Sequence, residues 1–215
     1  MTDPLSDEYL SRMRALARER VSQKRFQHME AVAEAAQLLA RTYGQDEAKA
    51  RLAGILHDWD KGLDNEEIRA KARNLGLDEV LGEWMIINMP QVLHGPTAAE
   101  GFRHTDPEIP EDVLSAIYKH TIAAKEMSPL DKIIYIADAI EPNRSFAEAE
   151  GLRGLIGKVS LDELYFQVYK FWIETLISKD GLLHPDTLAI WNDMTFPKAH
   201  ARLQRYEKRC KEKKA

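Results

Sequence analysis

Apolar residues in this chain recur three and four apart, and no stretch keeps a two-residue alternation, so the pattern is that of helices and argues against a sheet. The clearest run follows Ser22: Phe26, Met29, Val32, Ala36, Leu39 and Tyr43 mark one face, with Ser22 suited to cap the start and Gly44 to stop the end. Asp46 can cap a second helix, whose stripe Ala50, Ala53 and His57 ends near Gly62. A weaker, charged helix is expected over residues 65–75, and residues 82–96 show no regular pattern. Pro110 suits the first turn of a helix carrying Val113, Ala116, Ile117 and His120. Ser128-Pro129 opens the next, with Leu130, Ile134, Ala137 and Asp138 on its inward face. Ser160-Leu161-Asp162-Glu163 matches a capping box before a long amphipathic helix running through Trp172 to about Ser178. A last helical segment starts near Thr187, with Pro197 expected to interrupt it. The reading is an all-α fold, with residues 1–215 as a single domain.

Bulk properties narrow the function classes. A net charge of -5 argues against general nucleic-acid binding, which usually shows a basic surplus. Cys210 is the lone cysteine, so there is no internal disulfide framework, as befits a reducing compartment. The acidic N-terminus lacks the apolar core of a secretory signal, and the longest apolar runs are far shorter than a membrane span. The cytoplasm is the expected location. The basic ending KRCKEKKA is read as a frayed, solvated tail.

Chemistry enters with His28, the pair His57-Asp58, His94, His120 and Asp138. A lone histidine is more often a packed or surface residue, and His104, His184 and His200 are assigned there. The others sit differently. His28 precedes Val32 by four residues, His57 follows Ala53 by four, His120 follows Ala116 by four and Asp138 follows Ile134 by four. Gly54 would permit another helix to approach closely beside His57. An ionised carboxylate on an apolar stripe is costly unless paired or bound to metal, which makes Asp138 the most telling residue. Histidine with carboxylate suits a divalent metal, and six such groups exceed the needs of one tetrahedral site. Two metals sharing ligands, the usual apparatus for splitting phosphate esters and anhydrides, is the reading that follows.

The same residues resemble the extended signature of HD-domain metal-dependent phosphohydrolases. AGILHDWDKG (53–62), VLHGPTAAE (92–100) and KHTIAAKEMSPLDKIIYIADAIEPNR (119–144) are similar to the YqeK-like branch, the bacterial symmetrical bis(5'-nucleosyl)-tetraphosphatases. That resemblance, over roughly residues 20–195, implies an HD-domain helical bundle around a dinuclear centre, with iron as the metal. Manganese, cobalt, nickel or zinc also suit the donor set. It implies cleavage of diadenosine tetraphosphate to two ADP. In one departure, Ile122 and Ala123 stand where the family pattern has threonine and glycine, which bears on substrate fit.

The resemblance assigns His28, His57, Asp58 and Asp138 to one metal and His94 and His120 to the second, with Asp58 bridging. Two cations about 3.5–4 Å apart can activate a shared water, so no serine or cysteine nucleophile is required. Lys61, three residues beyond Asp58, and Arg144, six beyond Asp138, are expected to hold phosphoryl oxygens; Arg153 joins them from the family pattern alone. Asp131 fits a Ser128 cap better than a role orienting a ligand histidine. Trp59, Trp84, Met85 and Phe146 are candidates to stack on a base, although the core claims most such residues. Trp172 and Trp191 suit a homodimer interface as readily as a core. Two other readings stay open: a hydrolase of another nucleotide, and a metal-loaded domain that senses a nucleotide without turning it over.

Overall fold

A computed structural model describes residues 3–212 of the chain. These form α1 (Asp7–Arg20), α2 (Gln23–Thr42), α3 (Glu47–Leu56), α4 (Asn65–Asn74), α5 (Leu77–Leu81), α6 (Glu83–Asn88), α7 (His94–Thr105), α8 (Glu111–Lys119), α9 (Pro129–Ile140), α10 (Ala147–Arg153), α11 (Leu161–Ser178) and α12 (Thr187–Glu212). A 3-10 turn at Pro90–Val92 precedes α7, and no strand occurs among the described residues. No described helix is long and apolar enough to cross a membrane.

The expected caps are in place. Ser22 Oγ accepts from Arg25 N, and Asp46 Oδ1 accepts from Ala48 N and Lys49 N. Gly44, at φ 68°, follows the last turn of α2, where a side chain would be strained. Three residues after that glycine the chain re-enters helix, so α2 and α3 pack side by side, with the most extensive contact between any two elements. Gly54 makes this possible: a Cβ there would lie 2.6 Å from Ala33 Cα.

The centre of the bundle is α9. Ile133, Ile134, Ile136, Ala137 and Ala139 are fully buried around its circumference, and α2, α3, α8, α10 and α11 surround it. Complete burial of each isoleucine contributes about 1.5–3 kcal/mol, so α9 is the element least able to leave the bundle. A second, smaller cluster joins Ile68, Leu77, Met85, Ile86 and Leu93, between α4 and the start of α7. Trp172 and Trp191 are partly buried against the main core.

Three expectations are corrected. Residues 82–96 are ordered as α6, the 3-10 turn and the first residues of α7, elements too short to show a period in sequence. Pro96 fits within the first turn of α7, where an N–H would have no helical partner. Pro197 does not interrupt α12, which runs through it; the segment is exposed, and water can serve a carbonyl left without its donor. The expected frayed ending is helical as far as Glu212, and residues 213–215 lie outside the described residues.

Candidate metal centre and its groove

The six singled-out side chains converge on one place, and most come from helix ends. His28 lies in the second turn of α2, His57 is the C-cap of α3, and Asp58 opens the turn that follows. His94 is the first residue of α7, His120 the C-cap of α8, and Asp138 lies in the last turn of α9. A residue at a helix end can turn its ring across the bundle, which is why helices crossing at different angles can share one point.

Asp58 is the pivot. Its Oδ2 lies 3.6 Å from His28 Nε2 and 3.4 Å from His57 Nε2, while its Oδ1 lies 3.0 Å from His94 Nε2 and 3.8 Å from His120 Nε2. Asp138 Oδ1 joins the first group, 3.0 Å from His28 Nε2 and 4.0 Å from His57 Nε2. The two oxygens of one buried carboxylate thus face two separate pairs of histidines.

The outer ring nitrogens fix the orientation of all four imidazoles. Nδ1 of His57 lies 2.7 Å from Gly54 O, that of His94 3.0 Å from Gln91 O, and that of His120 2.6 Å from Ile117 O. A carbonyl can only accept, so these Nδ1 atoms carry protons and donate. His28 Nδ1 meets Glu141 Oε1 at 3.1 Å in the same manner. Each ring therefore turns its Nε2 inward. Nε2 of His28 and of His57 is buried with no hydrogen-bond partner, and Nε2 of His94 and of His120 face each other at 3.3 Å. Four inward-facing nitrogens and two carboxylates brought to one point form a site for cations.

Protons and a divalent cation compete for those nitrogens. Burial tilts the contest against the proton at His94, whose pKa is pushed down to about 4. Burial alone would raise the Asp58 carboxyl, but His57, His120 and His94 outweigh it and hold it well below the usual carboxylate range. Asp138 is lowered against the same burial, by His28, His57 and Arg144. Three overlapping groups could each hold an ion: His28, His57 and Asp58; His57, His120 and Asp138; Asp58, His94 and His120.

Three cations edge the centre. Arg144 Nη2 lies 2.7 Å from Asp138 Oδ1, Arg25 Nη1 2.6 Å from Asp58 Oδ2, and Lys61 Nζ 3.3 Å from Gln91 O and 3.5 Å from His94 Nδ1. Desolvation lowers the Lys61 pKa, partly offset by Asp58. Arg153 is not brought to the centre; its Nη1 reaches the carbonyls of Ile140, Glu141 and Arg144, bracing the chain as it leaves α9. Asp131 belongs to the Ser128 capping box and pairs with Lys119 at 2.8 Å.

The stacking candidates separate. Met85 is core, Trp59 packs on Phe102 beneath the Arg20 guanidinium, and Trp84 is half-exposed away from both. Phe146 alone adjoins the centre: with Lys24, Arg25, His28, Asn143 and Arg144 it lines a groove of about 1040 Å³. Ile122 lines a separate cavity of about 160 Å³ with Gln91, Tyr169 and Trp172. Ala123 is in the left-handed region at φ 54°, the conformation that a glycine would take without strain. His104 and His200 are exposed, while His184, half-buried, accepts from Asp186 N and lines the same cavity as Ile122.

Sequence reasoning missed Arg25, Glu141 and Asp60. Asp60 is buried and holds the turn after Asp58 through Arg20 at 2.8 Å, Lys71 at 2.5 Å and Thr97 Oγ1 at 2.8 Å. Glu141 and Asp60 left a trace, lying three residues after Asp138 and two after Asp58 within motifs already singled out.

An all-α bundle holding this set of histidines and aspartates defines a class, and residues 25–143 match the model of the HD domain. HD domains bind divalent metals, and the clusters above could hold them. The symmetrical bis(5'-nucleosyl)-tetraphosphatase of Halalkalibacterium halodurans is 36% identical over 83% of this chain and 93% of its own length. That of Staphylococcus aureus is 33% identical over 85% and 93%. A solved structure from Clostridium acetobutylicum, described as a predicted HD superfamily hydrolase involved in NAD metabolism, is 34% identical with a TM-score of 0.79, over 87% of this chain and 97% of that one. The chain belongs to the HD-domain family of symmetrical bis(5'-nucleosyl)-tetraphosphatases.

Proposed function

We propose that this chain hydrolyses diadenosine tetraphosphate and related dinucleoside tetraphosphates symmetrically, releasing two nucleoside diphosphates. The observation that carries the reading is the division of Asp58, whose two oxygens each face their own pair of histidines. Its relatives' activity, named for the same symmetrical cut, supports it. In this reading His28, His57, Asp58 and Asp138 would hold one divalent ion, and His94, His120 and Asp58 would hold a second. Iron is our first choice, and manganese, cobalt, nickel or zinc fit the same nitrogen and oxygen donors. Such ions supply Lewis acidity, polarising a phosphoryl oxygen and lowering the pKa of water.

The protein's own groups do the rest. The carbonyls and Glu141 behind the histidines keep each Nε2 aimed inward. Lys61, loosely held at Gln91 O, and Arg144, on Asp138, offer positive charge to the non-bridging oxygens of the polyphosphate. Arg153, through Nη1, braces the Arg144 carbonyl and so supports the position of Arg144. Arg25, Lys61 and Arg144 thus edge the place where a small polyanion would bind. We read residues 1–215 as one catalytic unit.

The test is product analysis. Manganese- or iron-loaded protein incubated with diadenosine tetraphosphate should give ADP alone, and Asp58→Ala should give none. AMP with ATP would sink the symmetrical cut, and no product from the wild type would sink the activity.

A further inference from the structure

A second opening adjoins the centre on the side of His94 and His120. It is the cavity of about 160 Å³ lined by Ile122, and its inner wall is built from the segments that carry those two histidines. Gln91, on that wall, uses its carbonyl to hold both His94 Nδ1, at 3.0 Å, and Lys61 Nζ, at 3.3 Å. Thr121, the residue after His120, donates through Oγ1 to Val92 O at 2.6 Å and so ties the two segments together. The groove of Phe146 adjoins His28 instead.

The chemistry of this cavity is narrow. Tyr169 and Trp172 of α11 line it with Ile122, Leu176 and Leu182, so most of the wall is apolar or aromatic. Two donors interrupt it. Tyr135, only 8% exposed, has no hydrogen-bond partner for its hydroxyl among the described residues. Burial lowers the His184 pKa, and its Nδ1 accepts from Asp186 N at 3.1 Å, so the ring's proton sits on Nε2, which has no partner among the described residues. Tyr169 differs, since its hydroxyl already donates to Thr187 O at 3.4 Å. A buried donor left without an acceptor costs about 1–3 kcal/mol, so a ligand carrying acceptor atoms relieves a strain that an apolar ligand would leave in place.

Size sets the class of ligand. An apolar cavity of about 150 Å³ takes up a benzene ring, so this one holds a flat ring system and leaves any sugar and phosphates outside. Lys61 stands at the way out, because Gln91 both lines the cavity and holds the Lys61 ammonium. An anionic chain leaving the cavity therefore meets a cation before it reaches His94.

We infer that this cavity seats one of the two bases of the substrate, against the Trp172 ring, with Tyr135 and His184 donating to its edge and Ile122 limiting its depth. The inference rests on the proposed activity for the identity of the ligand. Ile122 is then a residue that determines specificity without touching the phosphates.

The test compares kcat/KM for diadenosine tetraphosphate with that for adenosine 5'-tetraphosphate, which has the same four phosphates and a single base. Manganese-loaded wild type, Ile122→Phe and Tyr135→Phe are measured, with melting temperature and manganese affinity as checks on folding. The second adenosine should favour the dinucleotide at least tenfold in wild type. Ile122→Phe, which fills the cavity, should bring the ratio near one by raising KM for the dinucleotide. Tyr135→Phe keeps the ring, removes only the donor, and should lower the ratio about fivefold. A wild-type ratio of one overturns the inference, as does either variant if it folds, binds manganese normally and keeps the wild-type ratio. Photolabelling with an azido derivative of ADP, followed by peptide mass spectrometry, separates this inference from the activity. Label on residues 121–122 or 169–187 of a chain that turns nothing over keeps the seat and removes the activity. Turnover with no label on those segments does the reverse.

Discussion

Replacing Gly54 by alanine puts one methyl group into the tightest helix contact of the bundle. Its Cβ would lie 2.6 Å from Ala33 Cα and 2.9 Å from Ala33 N, both backbone atoms that cannot rotate aside. Ordinary contact begins at 3.4 Å, so α2 and α3 must part by roughly the 0.8 Å between those values. Alanine is favoured over glycine within a helix by about 1 kcal/mol. Overpacking costs about 1–3 kcal/mol, and a clash with backbone belongs at the upper end. The balance is a loss of about 2 kcal/mol, a fall in Tm of roughly 4–8 °C for a chain of this size. The same displacement separates His28 on α2 from His57 at the end of α3, and a misplacement near 1 Å can cost about a hundredfold in rate. Calorimetric melting, manganese titration and kcat/KM measure the three consequences. A Tm equal to or above wild type, with normal manganese affinity, would refute the tight approach and the reasoning built on it.

Three further outcomes are expected. Manganese at a hundredfold excess over its Kd should stabilise the chain by about 2.7 kcal/mol and raise Tm by roughly 5–10 °C, as followed by differential scanning fluorimetry, with chelator reversing the rise. Asp58→Ala should abolish most of that shift, and a shift of full size in the variant would count against the centre. Asp60→Ala leaves Arg20, Lys71 and Thr97 without their shared carboxylate and should cost about 3 kcal/mol in urea unfolding; a cost under 1 kcal/mol would show that the turn after Asp58 is held by other means. The Tyr9 hydroxyl, desolvated and close to Asp106, has its pKa raised to about 12. The unfolded chain loses this proton near pH 10, so the contribution is complete below that and is lost as pH rises toward 12; Tyr9→Phe should flatten that part of the stability profile.

What the sequence revealed of this protein follows from which interactions are local. His28, His57, His120 and Asp138 could be placed on inward faces because each follows or precedes small or aliphatic residues by one turn, and the structure brings all four together with Asp58 and His94. Ser22, Asp46 and Ser128 declared their caps because capping acts over two or three residues. Arg25 left no such sign. Its partner lies 33 residues away, and an arginine beside a lysine on a helix reads as solvated surface. The role of Asp60 was hidden likewise, since its three donors come from α1, α4 and α7. Arg153 shows the opposite failure: the motif pointed to a phosphate, while the fold spends its guanidinium on backbone carbonyls. Pro197 was read by its local rule, and an exposed helix tolerated it.

Asp58 also ties together parts of the chain that synthesis delivers at very different times. The ring of His28 meets the carboxylate of Glu141 across 113 residues, and every link among the six side chains except His57 to Asp58 closes a long loop. A nascent chain holding α2 and α3 has only the first half of the centre, and α9 must arrive before Asp138 can complete it. Full occupation of the centre therefore awaits α9, and a bound ion would work as a removable cross-link between segments of residues 28–138. Proteases should distinguish the two forms: the loaded chain resists them, and the chelated chain is cut throughout.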